Sequence, residues 1–199
     1  MNTKMDIVLA SGSPRRREIL EQAGIHFRVE VSEIDEKISS HIPSEIVQEL
    51  SAQKAEAVAC RQVKDCIVIG SDTIVAFGGD IMGKPRDRED AARMLQELSG
   101  NTHQVYSGVT VLEVKDGEIR KRHTFFEKTD VHVAVLTGEE IEEYVETGEP
   151  LDKAGAYAIQ GRFLTHITGI TGDYYNVVGL PIAHLYEVLK DFLSKSSGN

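Results

Sequence analysis

Ser11-Gly12-Ser13-Pro14-Arg15-Arg16-Arg17 sets three arginines on the first turn of an expected helix. The positive end of a helix dipole disfavours each cation there by roughly a few tenths of a kcal/mol, so something negative should compensate. Free amides, a glycine in the preceding loop and two serine hydroxyls form a nest suited to phosphate. The alternative is that the arginines are solvated and splay apart, with Arg17 the most easily spared. Lys54 is a second anomaly, because a helical wheel places it between Leu50, Val47 and Val58, inside an apolar stripe. Its ammonium cannot stay unpaired there; it either snorkels to the edge or reaches a carboxylate or phosphate. Asp72 follows a buried apolar run, where ligand crevices of α/β sheets open, and Asp35 and Glu36 lie on an acidic loop. Paired carboxylates beside lysines suit Mg²⁺, which takes one or two carboxylates plus phosphate oxygens. Each acid alone reads as a turn or cap residue, so the argument rests on convergence of Asp72, Glu36, Lys54 and Lys84.

The elements that must position these residues follow from pattern. Ile7 to Ala10 is a short buried strand; Ser13 as N-cap, Pro14 at the first helical position and Gly24 past the end bracket a helix. Phe27, Val29 and Val31 alternate with polar residues as a half-buried strand would. Pro43-Ser44 opens a long helix with an apolar face of Ile46, Val47, Leu50, Ala57 and Val58, and Cys66 to Gly70 is a buried strand ending at Ser71-Asp72-Thr73. Ile74 to Ile81 reads as a hairpin turning at Gly78-Gly79-Asp80 and leading to Gly83-Lys84-Pro85. Asp87 with Asp90 predicts a capping box for a helix ending at Leu98 and closed by Gly100. Residues 103 to 136 are strand-rich with a turn at Asp116-Gly117, and Thr137 with Glu140 caps an acidic helix ended by Gly148. A loop runs through Gln160-Gly161, Pro181 starts a last amphipathic helix, and Ser194 to Asn199 are expected to be a disordered tail. Interleaved helices and strands predict an α/β fold with a mixed sheet.

Composition narrows the function. A chain of 199 residues, 41% of them apolar, can bury a large core as one domain. With 32 acidic against 22 basic residues, the formal charge of −10 opposes stable nucleic-acid binding while leaving room for a nucleotide-sized anion. The histidines lack HExxH or other zinc-ligand spacing, no GxxxxGK[ST] occurs, and Ser11 and Ser13 have no His and Asp arrangement for nucleophilic catalysis. Cys60 and Cys66 are too widely spaced for a redox pair and are read as reduced core residues. No apolar run is long enough for a membrane span or signal peptide, so a cytoplasmic protein without membrane contact is expected.

Several fragments together resemble the Maf family of nucleoside triphosphate pyrophosphatases, first named for septum formation inhibition. They are Leu9-Ala10-Ser11-Gly12-Ser13-Pro14-Arg15-Arg16, Gly70-Ser71-Asp72-Thr73, Gly83-Lys84-Pro85, Leu98-Ser99-Gly100, Gly148-Glu149-Pro150, Asp152 to Tyr157, Ile159-Gln160-Gly161 and Asn176 to Pro181. The resemblance covers residues 6 to about 193. It implies an elongated mixed sheet with flanking helices, two lobes around a deep cleft within a single domain spanning 1–199, similar to the inosine triphosphatase fold, and a homodimer. It also implies cleavage of a nucleoside triphosphate between the α and β phosphates with a divalent cation, Mg²⁺, Mn²⁺ or Co²⁺. The family's functional positions fall on Ser11, Arg16, Glu36, Lys54, Asp72 and Lys84, with Asp72 and Glu36 toward the metal and Asp72, Lys54, Lys84 and Glu36 catalytic. Arg15, Thr73 and Gln160 match its substrate-selecting positions and look like the dTTP/UTP subgroup, from which Ser71 departs because Ala is usual there. The rival readings are a non-enzymatic nucleotide-binding regulator of cell division and a housecleaning pyrophosphatase for modified nucleotides.

Overall fold

The computed structural model describes residues 5–194. A four-residue strand, β1 (Asp6–Leu9), delivers the chain into α1 (Pro14–Gln22), with Pro14 in the first turn. Ser13 occupies the N-cap position, but its side chain makes no capping hydrogen bond. The half-buried strand expected around Phe27 to Val31 shrinks to β2 (Arg28–Val29), and Val29 and Val31 are exposed. β2 lies at the end of the strand order, where short strands limit the unpaired edge. A segment without regular structure then leads to α2 (Pro43–Ala59), whose buried face includes Ser51 and Ala55 in place of the expected Ala57.

The strand after α2 does not stop at Asp72. β3 (Cys66–Phe77) runs on for twelve residues and turns at Gly78-Gly79 into β4 (Asp80–Met82), pairing Val75 with Met82 and Phe77 with Asp80. The polar triplet Ser71-Asp72-Thr73 is tolerated in mid-strand because each side chain finds a hydrogen-bond partner. α3 (Arg88–Leu98) follows, then the long strands β5 (Thr102–Lys115) and β6 (Glu118–Val133) around the Asp116-Gly117 turn, and α4 (Gly138–Glu146). The Asp87 carboxylate accepts the Asp90 N–H at 2.8 Å, but the box is one-sided. Asp90 spends its own carboxylate on Arg86 and Arg93, which hold it well below the ordinary carboxylate range. By contrast Thr137 and Glu140 form a complete capping box. Short 3-10 turns carry the chain past Gln160 to β7 (Ile167–Thr171) and α5 (Tyr174–Val178), neither of which was anticipated, and α6 (Ile182–Ser194) is the last element. Ser194 therefore closes a helix, and the rest of the expected disordered tail, 195–199, lies outside the described residues.

Strand order is β2-β1-β3-β5-β6-β7 with β4 on β3; β1 is parallel to β2 and β3, whereas β3/β4 and β6/β7 are antiparallel. The α/β class with a mixed sheet and flanking helices is thus as expected. The chain divides into two compact units: unit 1 comprises 1–73, 107–127 and 179–199, and unit 2 comprises 74–106 and 128–178. Unit 1 has an apolar core in which Ala55, Val58 and Ala59 of α2 meet Val8, Val68, Leu112 and Val114. Unit 2 buries Val75, Met94, Leu95, Leu98, Val131, Ile141 and Phe163 together, with His103 and Tyr157 as a polar pair inside it. Cys66 is buried as expected, and burial raises its thiol pKa. Cys60 is exposed, a correction with a simple cause: it is the C-cap of α2, beyond the last buried residue, Ala59. Among the described residues, no helix is long and apolar enough to cross a membrane.

Candidate active site

The site in unit 1 is assembled on β3. Side chains alternate along a strand, so Val68, Gly70 and Asp72 share one face while Ile69, Ser71 and Thr73 share the other. Gly70 is a seat for α2: a Cβ there would lie 2.3 Å from the Ser51 carbonyl oxygen and 2.7 Å from the Ala55 nitrogen. Gly108 on β5 is a second seat, with a Cβ meeting the Val47 carbonyl oxygen at 2.1 Å. Between them, the buried Ser51 hydroxyl bonds Thr110 Oγ1 at 3.0 Å. Two missing side chains thus let the backbone of α2 lie directly against the sheet.

That close approach brings Lys54, the residue before Ala55, to Asp72, two residues beyond Gly70. The ammonium contacts Asp72 Oδ1 and also Glu36 Oε1, the latter at 2.9 Å. Lys54 and Asp72 have side chains only 16% and 15% exposed, whereas Glu36 is 44% exposed on its loop. Of the two readings of Lys54, the lysine reaches carboxylates; it does not snorkel.

The other face of β3 meets the first turn of α1. β1 pairs with β3 only as far as Leu9 and Ile69, and the chain then turns into the Ser11-Gly12-Ser13 loop. Arg16 donates from Nε to the Gly179 carbonyl at 2.9 Å, from Nη1 to Ser11 Oγ at 3.0 Å and from Nη2 to Thr73 Oγ1 at 3.2 Å. Burial pulls its pKa below the ordinary value, opposed by the negative fields of Asp72 and Glu36. Gly179 sits at φ +128°, a backbone conformation that L side chains rarely adopt, and this aims its carbonyl at Arg16. Ser71 Oγ also donates to Gly179, at 3.4 Å, which gives the unusual serine a partner. Thr73 Oγ1 lies 2.7 Å from the buried Ser107 Oγ. Ser107 was missed by sequence reasoning, its only signal being a small polar residue inside an apolar strand, whereas Gly179 lies in the Asn176 to Pro181 fragment but was not singled out as part of the site.

The remaining expected residues are placed as follows. Ser11 is buried and serves Arg16 and the Ser13 N–H. Arg15 is half-buried on the same turn, and Arg17 folds back to donate to the Gly12 carbonyl at 2.9 Å. Lys84 and Gln160 belong to unit 2 and are exposed, Lys84 just after β4 and Gln160 in the turn before Gly161. Chemically, the unit 1 cluster offers a half-buried guanidinium, a lysine and two carboxylates within one constellation. It can bind a polyanion and orient a water beside it. Two carboxylates that already share one cation also match a divalent ion that completes its shell from phosphate oxygens and water. Among the described residues, no group of three or more His, Cys, Asp or Glu could hold a metal alone.

Comparison with known proteins converges on one family. A family model described as "Maf-like protein" matches residues 6–192. A dTTP/UTP pyrophosphatase of Lachnoclostridium phytofermentans is 56% identical over 187 residues, covering 94% of this chain and 94% of that protein. Proteins with the same name from Agathobacter rectalis and Bacillus cereus are each 51% identical, covering 92% and 94% of this chain and 96% and 95% of their own lengths.

Proposed function

The chain belongs to the Maf family, and from that membership we propose that it is a dTTP/UTP pyrophosphatase whose hydrolytic centre is the Asp72 cluster. The observation that carries the assignment is the meeting of Lys54 with both Asp72 and Glu36, two carboxylates whose field also reaches the half-buried Arg16 guanidinium. Such an arrangement has little use in a purely structural role. Partly buried charges cost desolvation, whereas developing phosphate charge would be stabilised by them.

In this reading Arg16, Lys54 and Lys84 neutralise the triphosphate, and Ser11 with the adjacent amides receives phosphate oxygens. Arg16 is preoriented by Gly179, Ser11 and Thr73, so little reorganisation is needed when the anion arrives. Asp72 and Glu36 would hold Mg²⁺, Mn²⁺ or Co²⁺, which when bound supplies charge neutralisation and polarises the phosphoryl group. Asp72 orients a water and accepts its proton. The water oxygen bonds to the α phosphorus, the bond from that phosphorus to the bridging oxygen breaks, and pyrophosphate leaves with the electron pair. Products are a nucleoside monophosphate and pyrophosphate. Thr73 contributes through Arg16 and Ser107, and Arg15 stands on the same turn for the substrate. Gln160 has both amide donors and an acceptor and so matches the O4 and N3–H edge of uracil or thymine.

The test is pyrophosphate release by the purified protein from a panel of nucleoside triphosphates with Mg²⁺, Mn²⁺ and Co²⁺. dTTP and UTP should exceed CTP and the purines, because cytosine reverses the hydrogen-bond pattern at both positions and leaves polar groups unpaired. Binding of dTTP without pyrophosphate release would overturn the enzymatic reading in favour of a nucleotide-binding regulator. Preference for modified nucleotides would make the protein a housecleaning enzyme. Size-exclusion chromatography with light scattering tests the homodimer.

A further inference from the structure

Gln160 is the exposed third residue of a turn over residues 158–161, closed by the Gly161 N–H donating to the Ala158 carbonyl at 3.0 Å. One carboxylate holds this turn on both sides. Glu149 Oε1 accepts the Tyr144 phenol at 2.8 Å, and that phenol in turn accepts the Ala158 N–H at 3.2 Å. On the far side the Arg162 N–H is shared by Glu149 Oε1 and Oε2 at 3.1 and 3.2 Å. Gly161 belongs to the same device. Its φ of −98° is open to any residue, yet a Cβ would lie 1.9 Å from Glu149 Oε1 and 2.6 Å from Oε2. A side chain at position 161 would therefore have to push the Glu149 carboxylate out of its present place beside the Arg162 amide.

A glutamine can present either face of its amide, so it discriminates uracil from cytosine only if the backbone that carries it is fixed. We propose that Glu149 is a positioning residue for base selection, acting through Tyr144 and the Arg162 amide to set the turn from which Gln160 reads the pyrimidine. The inference rests on the assignment of base reading to Gln160.

The experiment compares kcat and KM for UTP and CTP, with Mg²⁺, in the wild type, Gln160→Ala, Glu149→Ala, Glu149→Gln and the double variant Glu149→Ala/Gln160→Ala. Gln160→Ala should reduce the UTP/CTP preference about tenfold. Glu149→Ala should reduce it comparably, chiefly through a higher KM for UTP, and the double variant should be no flatter than Gln160→Ala, as expected for residues acting as one unit. Glu149→Gln retains an acceptor oxygen for the Arg162 amide and should recover most of the preference. If Glu149→Ala lowers kcat equally for both nucleotides and leaves the preference intact while Gln160→Ala removes it, positioning is overturned and the role of Gln160 stands. If Gln160→Ala keeps the wild-type preference, the base-reading assignment itself fails, and the inference with it. Should Glu149→Ala not fold, Tyr144→Phe removes one hydrogen bond and keeps the ring packed; an unchanged UTP/CTP ratio in that variant overturns the proposal.

Discussion

Unit 1 and unit 2 place their candidate functional side chains by different means. In unit 1 the partners are distant in the chain: Arg16 reaches a carbonyl 163 residues away, and Lys54 meets a carboxylate 18 residues away on another element. In unit 2 the turn carrying Gln160 is held by partners 5, 13 and 14 residues apart. Charges that must meet need rigid surfaces pressed together, which the Gly70 and Gly108 seats provide. A side chain that must only be aimed needs a few hydrogen bonds around a short turn. Each interior also encloses a hydrogen-bonded polar pair, Ser51–Thr110 in unit 1 and His103–Tyr157 in unit 2.

The comparison breaks most severely at Asp72. Asp72→Asn removes a charge at nearly constant volume and should lower kcat for dTTP about a thousandfold while circular dichroism and melting stay near wild type. Activity surviving with intact metal dependence would remove Asp72 from the chemistry. Gly70→Ala attacks the seat without touching any charged group. Because the added methyl would collide with backbone, it should cost about 3 kcal/mol in chemical denaturation and misplace Lys54, so activity and stability fall together. A stable Gly70→Ala with full activity would show that the close approach of α2 is dispensable.

In unit 2 the buried His103 ring is held neutral, its pKa lowered to about 4 by burial. The unfolded chain takes up a proton near pH 6.5 and the folded one does not, so stability is fully present above pH 6.5 and declines as pH falls toward 4. At pH 5 the loss amounts to about 2 kcal/mol, and His103→Gln should abolish that component in melts compared at pH 7 and pH 5. Parallel pH dependence in the two proteins would contradict it. The smallest effect is expected at Arg17, whose exposed guanidinium only folds back on its own loop. Arg17→Ala should change stability by less than about 0.5 kcal/mol and leave turnover of dTTP near wild type, whereas Arg16→Ala should impair it strongly.

Much of this was legible in the chain. The Pro14 and Thr137 helix starts, the Gly78-Gly79 and Asp116-Gly117 turns and the long α2 are local events, decided by propensity and capping within a few residues. The dipole-opposed arginines and the lysine in an apolar stripe could be singled out because each violates a local rule, and such violations concentrate at functional sites. What Lys54 would do with its charge was undecidable from a wheel, since snorkelling and pairing share one pattern. The termination of β3 was misjudged for a related reason. Ser-Asp-Thr reads as a strand end when the partners that satisfy it, the Gly179 carbonyl, the Lys54 ammonium and the Ser107 hydroxyl, are invisible in the sequence.

Only the tertiary structure decided which glycines were spaces and not turns. Gly70, Gly108 and Gly161 need no unusual backbone conformation, and each is occupied by something from elsewhere in the chain, a helix backbone at the first two and the Glu149 carboxylate at the third. Sequence by itself determined the residue types, the elements and the family resemblance, because these depend on neighbours along the chain and on motifs in fixed order. Which side chains touch depends on packing distances of a few tenths of an ångström between elements far apart in the chain, and those are set only when the sheet and α2 come together.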